Sequence, residues 1–150
     1  HPRSNMQDYL ALHHEVDISL DTFPYPGATT SCHALWMGVP TVTLVGQTPV
    51  SRVGAVLQNH AGLTQFIASN HAEFVAKSVY WAEHFDELSH IRSDTRTRFG
   101  ESAMGQPEMI GNAIEQALRR MWQRWCAGDA PESFSASGQA SVTTSNHPIA

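Results

Sequence analysis

A short stretch after residue 20 combines the residue types that bind phosphate groups. Residues 21–38 are DTFPYPGATTSCHALWMG, in which two prolines precede a glycine and two consecutive threonines. Gly27 would let the backbone approach a ligand closely, and the prolines would restrict the turn before it. Thr29 or Thr30 would begin a helix whose first amides lack partners within the helix. Those amides, the helix dipole and the two hydroxyls together predict an anion site, with phosphate as the expected anion.

A structural alternative exists for the same residues. Thr29 or Thr30 could simply cap a helix, which contributes about 1 kcal/mol and implies no ligand. A glycine followed by two threonines is less specific than a Walker or GxGxxG motif, so spacing alone leaves both interpretations open. Arg52, in the first turn of a later predicted helix, has two alternatives as well, since either a carboxylate or a ligand phosphate could compensate its charge there.

The elements around this stretch determine where it lies. Residues 16–20 (VDISL), 41–45 (TVTLV) and 64–68 (TQFIA) are short, apolar and bounded by turn residues, which predicts three strands. Helical segments separate them, and the first of these should stop at residues 38–40 (GVP). Alternating strands and helices favour parallel strands, so the predicted fold class is α/β with a Rossmann-like parallel sheet flanked by helices. Ligands bind such sheets beyond the carboxyl ends of the strands, where the opening stretch lies.

Capping signals and apolar periodicity predict the remaining helices. The last of them carries an apolar stripe that requires a partner surface. The first helix is expected to begin after Ser4 and end near Glu15. A second should begin at Ser51 and a third after Asn70. Two more should cover about 87–99 and 107–126.

Composition excludes several classes of function. The net charge is −5 and Lys77 is the only lysine, which argues against nucleic acid as a partner. No apolar run approaches the roughly 20 residues that cross a bilayer, and the first residues lack a signal-peptide pattern, so a cytoplasmic protein without membrane contact is predicted. The chain begins without Met and leads directly into a helical pattern, which indicates a fragment of a larger protein.

The cysteines and histidines indicate no metal chemistry. Cys32 and Cys126 lie far apart, each within an apolar pattern, so buried thiols are expected rather than a disulfide or a metal pair. The nine histidines show no spacing typical of zinc ligands, and no metal site is predicted.

Three sequence blocks in order resemble one enzyme family. They are DISLDTFPYPGATTSCHALWMGVPTVTLVG, SRVGAVLQNHAGLTQFIA and ALRRMWQRW. Over about residues 7–126 the chain resembles the C-terminal catalytic region of the O-linked N-acetylglucosamine transferase family. This family, glycosyltransferase family 41, includes the SPINDLY proteins, and its bacterial tetratricopeptide-linked members look most similar.

The resemblance implies a domain organisation. Residues 1–126 would form the nucleotide-sugar-binding C-terminal lobe of a GT-B catalytic region, truncated at its N-terminus. The other lobe and tetratricopeptide repeats would lie upstream in the parent chain. Residues 127–150 are rich in Ser, Ala, Thr and Gly, and we expect them to form a disordered tail.

The resemblance also implies a reaction and its site. Gly27, Ala28, Thr29 and Thr30 would hold the diphosphate of a UDP-sugar donor, which is a substrate, so that no cofactor is expected. Inverting, metal-independent transfer would move the sugar, N-acetylglucosamine from UDP-GlcNAc, to Ser or Thr of an acceptor protein. The catalytic residues are unknown here, because the resemblance places them upstream of His1.

Departures from the family pattern keep two alternatives open. Animal members have a histidine where this chain has Ala28, and a ribose-binding acidic residue where it has His33. Tyr9 lies near the position of a histidine that stacks on the base. The alternatives are a GDP-fucose-dependent protein O-fucosyltransferase of the same family, and a catalytically degenerate lobe that acts as a scaffold or binds partners.

Overall fold

The computed structural model describes residues 5–135, and its contacts divide the chain into two compact units, His1–Gly105 and Gln106–Ala150. Among the described residues, the first unit contains a small sheet, five α-helices and four short 3-10 helices, and the second contains one long α-helix. The strands are β1 (Ser19–Leu20), β2 (Thr41–Leu44) and β3 (Ile67–Ala68). The helices are α1 (Met6–Ala11), α2 (Thr29–Trp36), α3 (Val53–His60), α4 (His71–Glu83), α5 (Phe85–Glu101) and α6 (Pro107–Ala127).

The three strands form a parallel sheet in the order β1-β2-β3. Ser19 pairs with Thr41 in one ladder, and Thr43 pairs with Ile67 in the other. Helix α2 connects β1 to β2 and α3 connects β2 to β3, so each connection is a helical crossover as parallel pairing requires. The predicted fold class, a parallel α/β sheet flanked by helices, is confirmed.

One apolar core holds the sheet and its helices together. Phe66 is fully buried and its ring stacks on Trp81 of α4, with the ring centroids 4.6 Å apart. Burial of aromatic surface of this size is a major source of stability in a domain this small. The buried cluster comprises Leu35, Val42, Leu57, Ala61, Leu63, Phe66, Trp81, Leu88 and Phe99.

Helix α2 stops where the GVP signal predicted. Gly38 has a φ of +78°, which favours glycine, and its N–H donates to the Leu35 carbonyl at 3.1 Å. The N–H of Val39 donates to the Ala34 carbonyl at 2.8 Å, which completes a Schellman motif. The chain is thereby turned into β2.

Several predicted boundaries differ from the structure. Asn5, rather than Ser4, is the N-cap of α1, and its side chain accepts a hydrogen bond from Asp8 N at 2.8 Å. Ser51 does not cap α3, because its hydroxyl is buried and donates to the Thr48 carbonyl instead. Strands β1 and β3 have two residues each, since the chain bends at Asp17 before β1 and forms a 3-10 turn, Thr64–Phe66, before β3.

The predicted capping signal at α4 is confirmed. The Asn70 side chain accepts from Glu73 N at 2.9 Å, and Glu73 in turn accepts from Ser69 N at 2.8 Å. Glu73 also pairs with Lys77 at 2.8 Å. Hydrogen bonds from Lys77 and then from Ser69 lower the pKa of the Glu73 carboxyl to about 2.

Replacing Glu73 with Gln should remove part of the acid sensitivity of the fold. Because the folded pKa lies below the ordinary 4.5, the ionised carboxylate stabilises the protein above about pH 4.5, and this contribution disappears as the pH falls to about 2. We therefore expect the wild type to exceed Glu73→Gln in urea midpoint near pH 6 and to converge with it near pH 2. Lys77→Met, which removes the largest cause, should move the convergence towards pH 4.5. Parallel loss of stability in wild type and Glu73→Gln across this range would contradict the assignment.

The second unit contains α6 and the segment that follows it. Arg124 donates to the Ala130 carbonyl at 2.7 Å and pairs with Glu132 at 2.7 Å. The Arg120 guanidinium lies 4.5 Å from the centroid of the Phe134 ring. Ala127, the first residue of the predicted tail, is the last residue of α6, and two arginines of this helix contact Ala130, Glu132 and Phe134 in the segment that follows. Residues 136–150 lie outside the described part of the chain.

The apolar stripe predicted on the last helix is exposed. Ala117 of the stripe is half-buried, whereas its larger members and the neighbouring Leu118 and Trp122 range from 39% to 78% exposure, with Trp125 the most exposed. They are Ile110, Ile114, Leu118, Met121, Trp122 and Trp125. Among residues 5–135, none of the helices combines the length and the hydropathy that a bilayer span needs.

Candidate functional site

The 21–28 loop joins β1 to α2 at the carboxyl edge of the sheet. Helix α2 begins at Thr29, and the residue before it, Ala28, is the N-cap and provides no side-chain hydrogen bond. The capping alternative for Thr29 and Thr30 is therefore wrong, because both threonines occupy the first helical turn and are exposed. The helix thus presents uncapped amides and two hydroxyls at the edge where ligands bind parallel sheets.

A buried carboxylate organises this loop. Asp21 follows β1 directly and is 8% exposed. Its Oδ1 accepts from Gly27 N at 2.6 Å and from Thr22 N at 3.1 Å, and its Oδ2 accepts from the Thr43 hydroxyl at 2.9 Å. Both oxygens have donors, as a buried carboxylate requires.

Gly27 leaves room for two hydroxyls in the first turn of α2, although its φ lies outside the left-handed region that favours glycine. A Cβ added to it would lie 2.5 Å from Ser31 Oγ and 2.6 Å from Thr30 Oγ1, so any side chain would displace hydroxyls in the first turn of α2. The amide of Gly27 donates to Asp21, which makes Ala28, Thr29 and Thr30 the residues whose amides remain at the helix start. Gly27 therefore shapes the loop rather than donating its own amide to an anion.

A second glycine brings α3 against the same carboxylate. A Cβ added to Gly54 would collide with Thr43 Oγ1 and Asp21 Oδ2, and would lie 3.1 Å from Thr43 Cβ. Gly54 is buried near the start of α3, and Thr43 is buried on the central strand. Two neighbouring parallel strands and the following helix therefore meet at Asp21.

The structure also brings together the two residues predicted for the ribose and the base. His33 Nδ1 lies 3.4 Å from the Tyr9 hydroxyl, and their ring centroids are 5.5 Å apart in an edge-on arrangement. The His13 ring also contacts Tyr9 edge-on, with the two ring centroids 5.3 Å apart. Both predicted residues are half-buried, and His33 lies one helical turn after Thr30.

A cleft of about 410 Å³ opens beside the loop, between the ends of β1 and β2 and the start of α4. Its walls are mainly apolar, with the Phe23 ring packed edge-on against His71 at 5.0 Å between centroids. The lining residues are Phe23, Pro24, Leu44–Thr48, Ser51 and His71.

Other predicted features have simple placements. Burial raises the pKa of the Cys32 thiol, which is consistent with a structural cysteine, whereas Cys126 is exposed rather than buried as expected. Arg52 is exposed and forms no ion pair with any residue in the described range. Within residues 5–135 no three His, Cys, Asp or Glu side chains are grouped as metal ligands.

Comparison with known proteins identifies the family. The family model for glycosyl transferase family 41 matches residues 9–110. The chain belongs to glycosyltransferase family 41.

Two kinds of relative support this membership. A probable UDP-N-acetylglucosamine–peptide N-acetylglucosaminyltransferase SPINDLY from Oryza sativa subsp. japonica is 38% identical over 124 residues, 83% of this chain and 13% of that protein. A UDP-N-acetylglucosamine–peptide N-acetylglucosaminyltransferase from Caenorhabditis elegans is 28% identical over 75% of this chain and 10% of its own length. The family 41 chain thus spans only a small part of these relatives.

A solved structure supports the fold. A mutant O-GlcNAc transferase from Thermobaculum terrenum superimposes with a TM-score of 0.76 and 34% sequence identity, covering 87% of this chain and 24% of that one. The prediction that this family 41 chain has the fold of a catalytic lobe of a GT-B glycosyltransferase is confirmed by the match.

Sequence reasoning missed three residues of the loop's support, namely Asp21, Thr43 and Gly54. For Asp21 the sequence did contain a signal, namely an aspartate directly after a predicted apolar strand. Because a buried aspartate is rare unless it is paired, this position could have been predicted to bind donors. Thr43 and Gly54 had none, since their importance depends on contacts between distant parts of the chain.

Proposed function

We propose that this family 41 chain is the donor-binding part of an inverting, metal-independent protein O-glycosyltransferase. The donor is a UDP-sugar, UDP-GlcNAc, and the acceptor is a Ser or Thr hydroxyl of another protein. The activity for which the SPINDLY and Caenorhabditis elegans relatives are named supports the sugar and the peptide acceptor. The upstream lobe and tetratricopeptide repeats of the parent chain complete the cleft and hold the acceptor.

The uncapped start of α2 carries this proposal. Ala28 supplies no cap, and Thr29 and Thr30 are exposed at the carboxyl edge of a parallel sheet. Helix amides without partners are satisfied by water or by a ligand, and the positive end of the helix dipole favours an anion. A diphosphate supplies several acceptor oxygens and negative charge to this group of donors.

Binding of the diphosphate also supports the chemical step. The acceptor hydroxyl attacks the anomeric carbon, the bond from that carbon to the diphosphate oxygen breaks, and the oxygen leaves with the electron pair. Negative charge grows on the diphosphate in the transition state, so preorganised amides and hydroxyls stabilise the transition state more than the ground state. The hydroxyl proton passes to a base that the resemblance places upstream of His1.

The pair formed by Tyr9 and His33 is our candidate for the contact with the nucleoside. His33 lies one helical turn after Thr30 and Tyr9 contacts it, so we expect the ribose and base of the donor to extend to this side of the proposed diphosphate position. A neutral histidine offers one donor and one acceptor, whereas a carboxylate only accepts. We therefore expect His33 to bind the ribose with fewer accepted hydrogen bonds than an acidic residue makes.

Calorimetry with the full-length protein tests the donor. We expect uridine diphosphate to bind at least about tenfold more tightly than guanosine diphosphate, a difference of about 1.4 kcal/mol. Added EDTA should leave the affinity unchanged, because no metal bridges the diphosphate. A magnesium-dependent affinity would contradict metal independence.

The other outcomes separate the alternatives. Tighter binding of guanosine diphosphate would replace the proposed donor with a GDP-sugar, as in the fucosyltransferase alternative. Failure to bind either nucleotide, with circular dichroism showing an intact fold, would refute the donor site and favour the scaffold alternative.

A further inference from the structure

Asp21 is the carboxylate that the fold buries within the described part of the chain. Burying a carboxylate is unfavourable unless donors replace the lost water, and apolar residues often fill such positions at lower cost. Asp21 has three donors from three different residues, all within hydrogen-bond distance. The position therefore requires an acceptor with this geometry. The groups that donate to Asp21 indicate the role of its carboxylate.

The Oδ1 atom closes the loop that leads to α2. Its hydrogen bond to Gly27 N, at 2.6 Å, joins the end of β1 to the residue directly before the N-cap. Inside the closed loop, the Thr22 hydroxyl donates to the Tyr25 carbonyl at 2.6 Å. The direction in which the chain enters α2 after Gly27 thus depends on Asp21.

The Oδ2 atom anchors the same carboxylate to rigid elements. It accepts from the hydroxyl of Thr43, which is 1% exposed in the central strand. The backbone of α3 covers it at Gly54, where a Cβ would collide with it. Asp21 therefore fixes the loop relative to β2 and α3. Its carboxylate cannot shift unless β2 or α3 also moves.

We propose that Asp21 is a positioning residue for the donor diphosphate. By holding the Gly27 amide, it places Ala28, Thr29 and Thr30 where their donors converge on the ligand, although it does not touch the ligand itself. This inference rests on the donor site proposed above. It requires the hydrogen-bonding shape of Asp21 and not its negative charge, since a charge near the diphosphate would only repel it.

Substitutions at Asp21 separate shape from charge. Asn is isosteric: its oxygen can accept from both Thr22 N and Gly27 N, and its amide can donate to the Thr43 oxygen. Ala and Ser cannot reach Gly27. We expect uridine diphosphate to bind full-length Asp21→Asn within about threefold of wild type, and Asp21→Ala or Asp21→Ser about tenfold or more weakly.

Asp17→Ala is the matched control. Asp17 lies before the amino end of β1, at the opposite end of the strand from the loop, and pairs with Arg92 of α5. Its loss should lower the thermal midpoint without changing the affinity for uridine diphosphate. Affinity is measured by calorimetry well below the midpoint of each variant, with folding checked by circular dichroism.

Each result decides between the possibilities. Equal binding by wild type and a folded Asp21→Ala or Asp21→Ser protein would overturn the inference, as would Asp21→Asn binding as weakly as Asp21→Ala. If neither short variant folds, Asp21 serves the fold alone and the inference is wrong. If wild type itself binds no nucleoside diphosphate, the proposed donor site fails first, which distinguishes that failure from this one.

Discussion

The double change Thr29→Ala and Thr30→Ala should weaken binding of uridine diphosphate to the full-length protein by at least about a hundredfold. Each hydroxyl that donates to a charged oxygen contributes about 1.5–3 kcal/mol, so each single change should cost that amount. Both side chains are exposed and neither caps α2, so the fold should be unaffected within about 0.5 kcal/mol. Calorimetry measures the affinity, and a urea titration measures the stability.

Two further variants make this result interpretable. Replacing both threonines with Ser keeps the hydroxyls and should retain affinity within about threefold, which excludes loss of the methyl groups as the cause. Thr64→Ala alters an exposed threonine that begins a 3-10 turn before β3, at the amino edge of the sheet, and should change nothing. If the double alanine variant bound uridine diphosphate as tightly as wild type, the diphosphate site would have to be abandoned.

Gly54→Ala should destabilise the protein by about 2 kcal/mol or more. The new methyl group collides with the Thr43 hydroxyl and the Asp21 carboxylate, and both are buried. Overpacking costs about 1–3 kcal/mol, and separating Asp21 from Thr43 adds the cost of a buried charge that loses a hydrogen bond. The gain in helix propensity of about 1 kcal/mol offsets only part of this. Urea unfolding followed by tryptophan fluorescence reports it, since Trp81 is buried in the core.

Gly100→Ala is the matched control for this substitution. Gly100 also lies in a helix, but an added Cβ there would meet only Trp36, at an ordinary 3.9 Å. We expect it to stabilise the protein by about 0.5–1 kcal/mol, as alanine usually does in a helix. Equal stability changes at the two glycines would show that α3 does not approach Asp21 as closely as described.

The parallel α/β fold could be predicted because its signals are local. Strand and helix patterns alternate along the chain, and the Asn70 cap and the Gly38 stop act within a few residues of themselves. Strand lengths could not be predicted equally well, because pairing depends on which segments lie side by side. Residues 16–18 have a strand pattern but do not pair with another strand, so β1 is limited to Ser19–Leu20.

The candidate site divides in the same way. Gly27, Thr29 and Thr30 could be named from the sequence, because a turn followed by a helix start exposes amides whatever surrounds it. The capping alternative could not be excluded at that level. Only the structure shows that Ala28 is the N-cap and that the threonines therefore have no capping role.

By itself, the sequence determined the order of the elements, the family and the loop that follows β1, because each depends on the types of residues that are neighbours along the chain. Only the tertiary structure decided how that stretch is held. The Thr43 hydroxyl donates to Asp21, which is 22 residues away in sequence, and the absence of a side chain at Gly54 lets α3 pack against both residues. Such contacts require a strand, a loop and a helix to pack at one point, and no local pattern of side chains encodes that meeting.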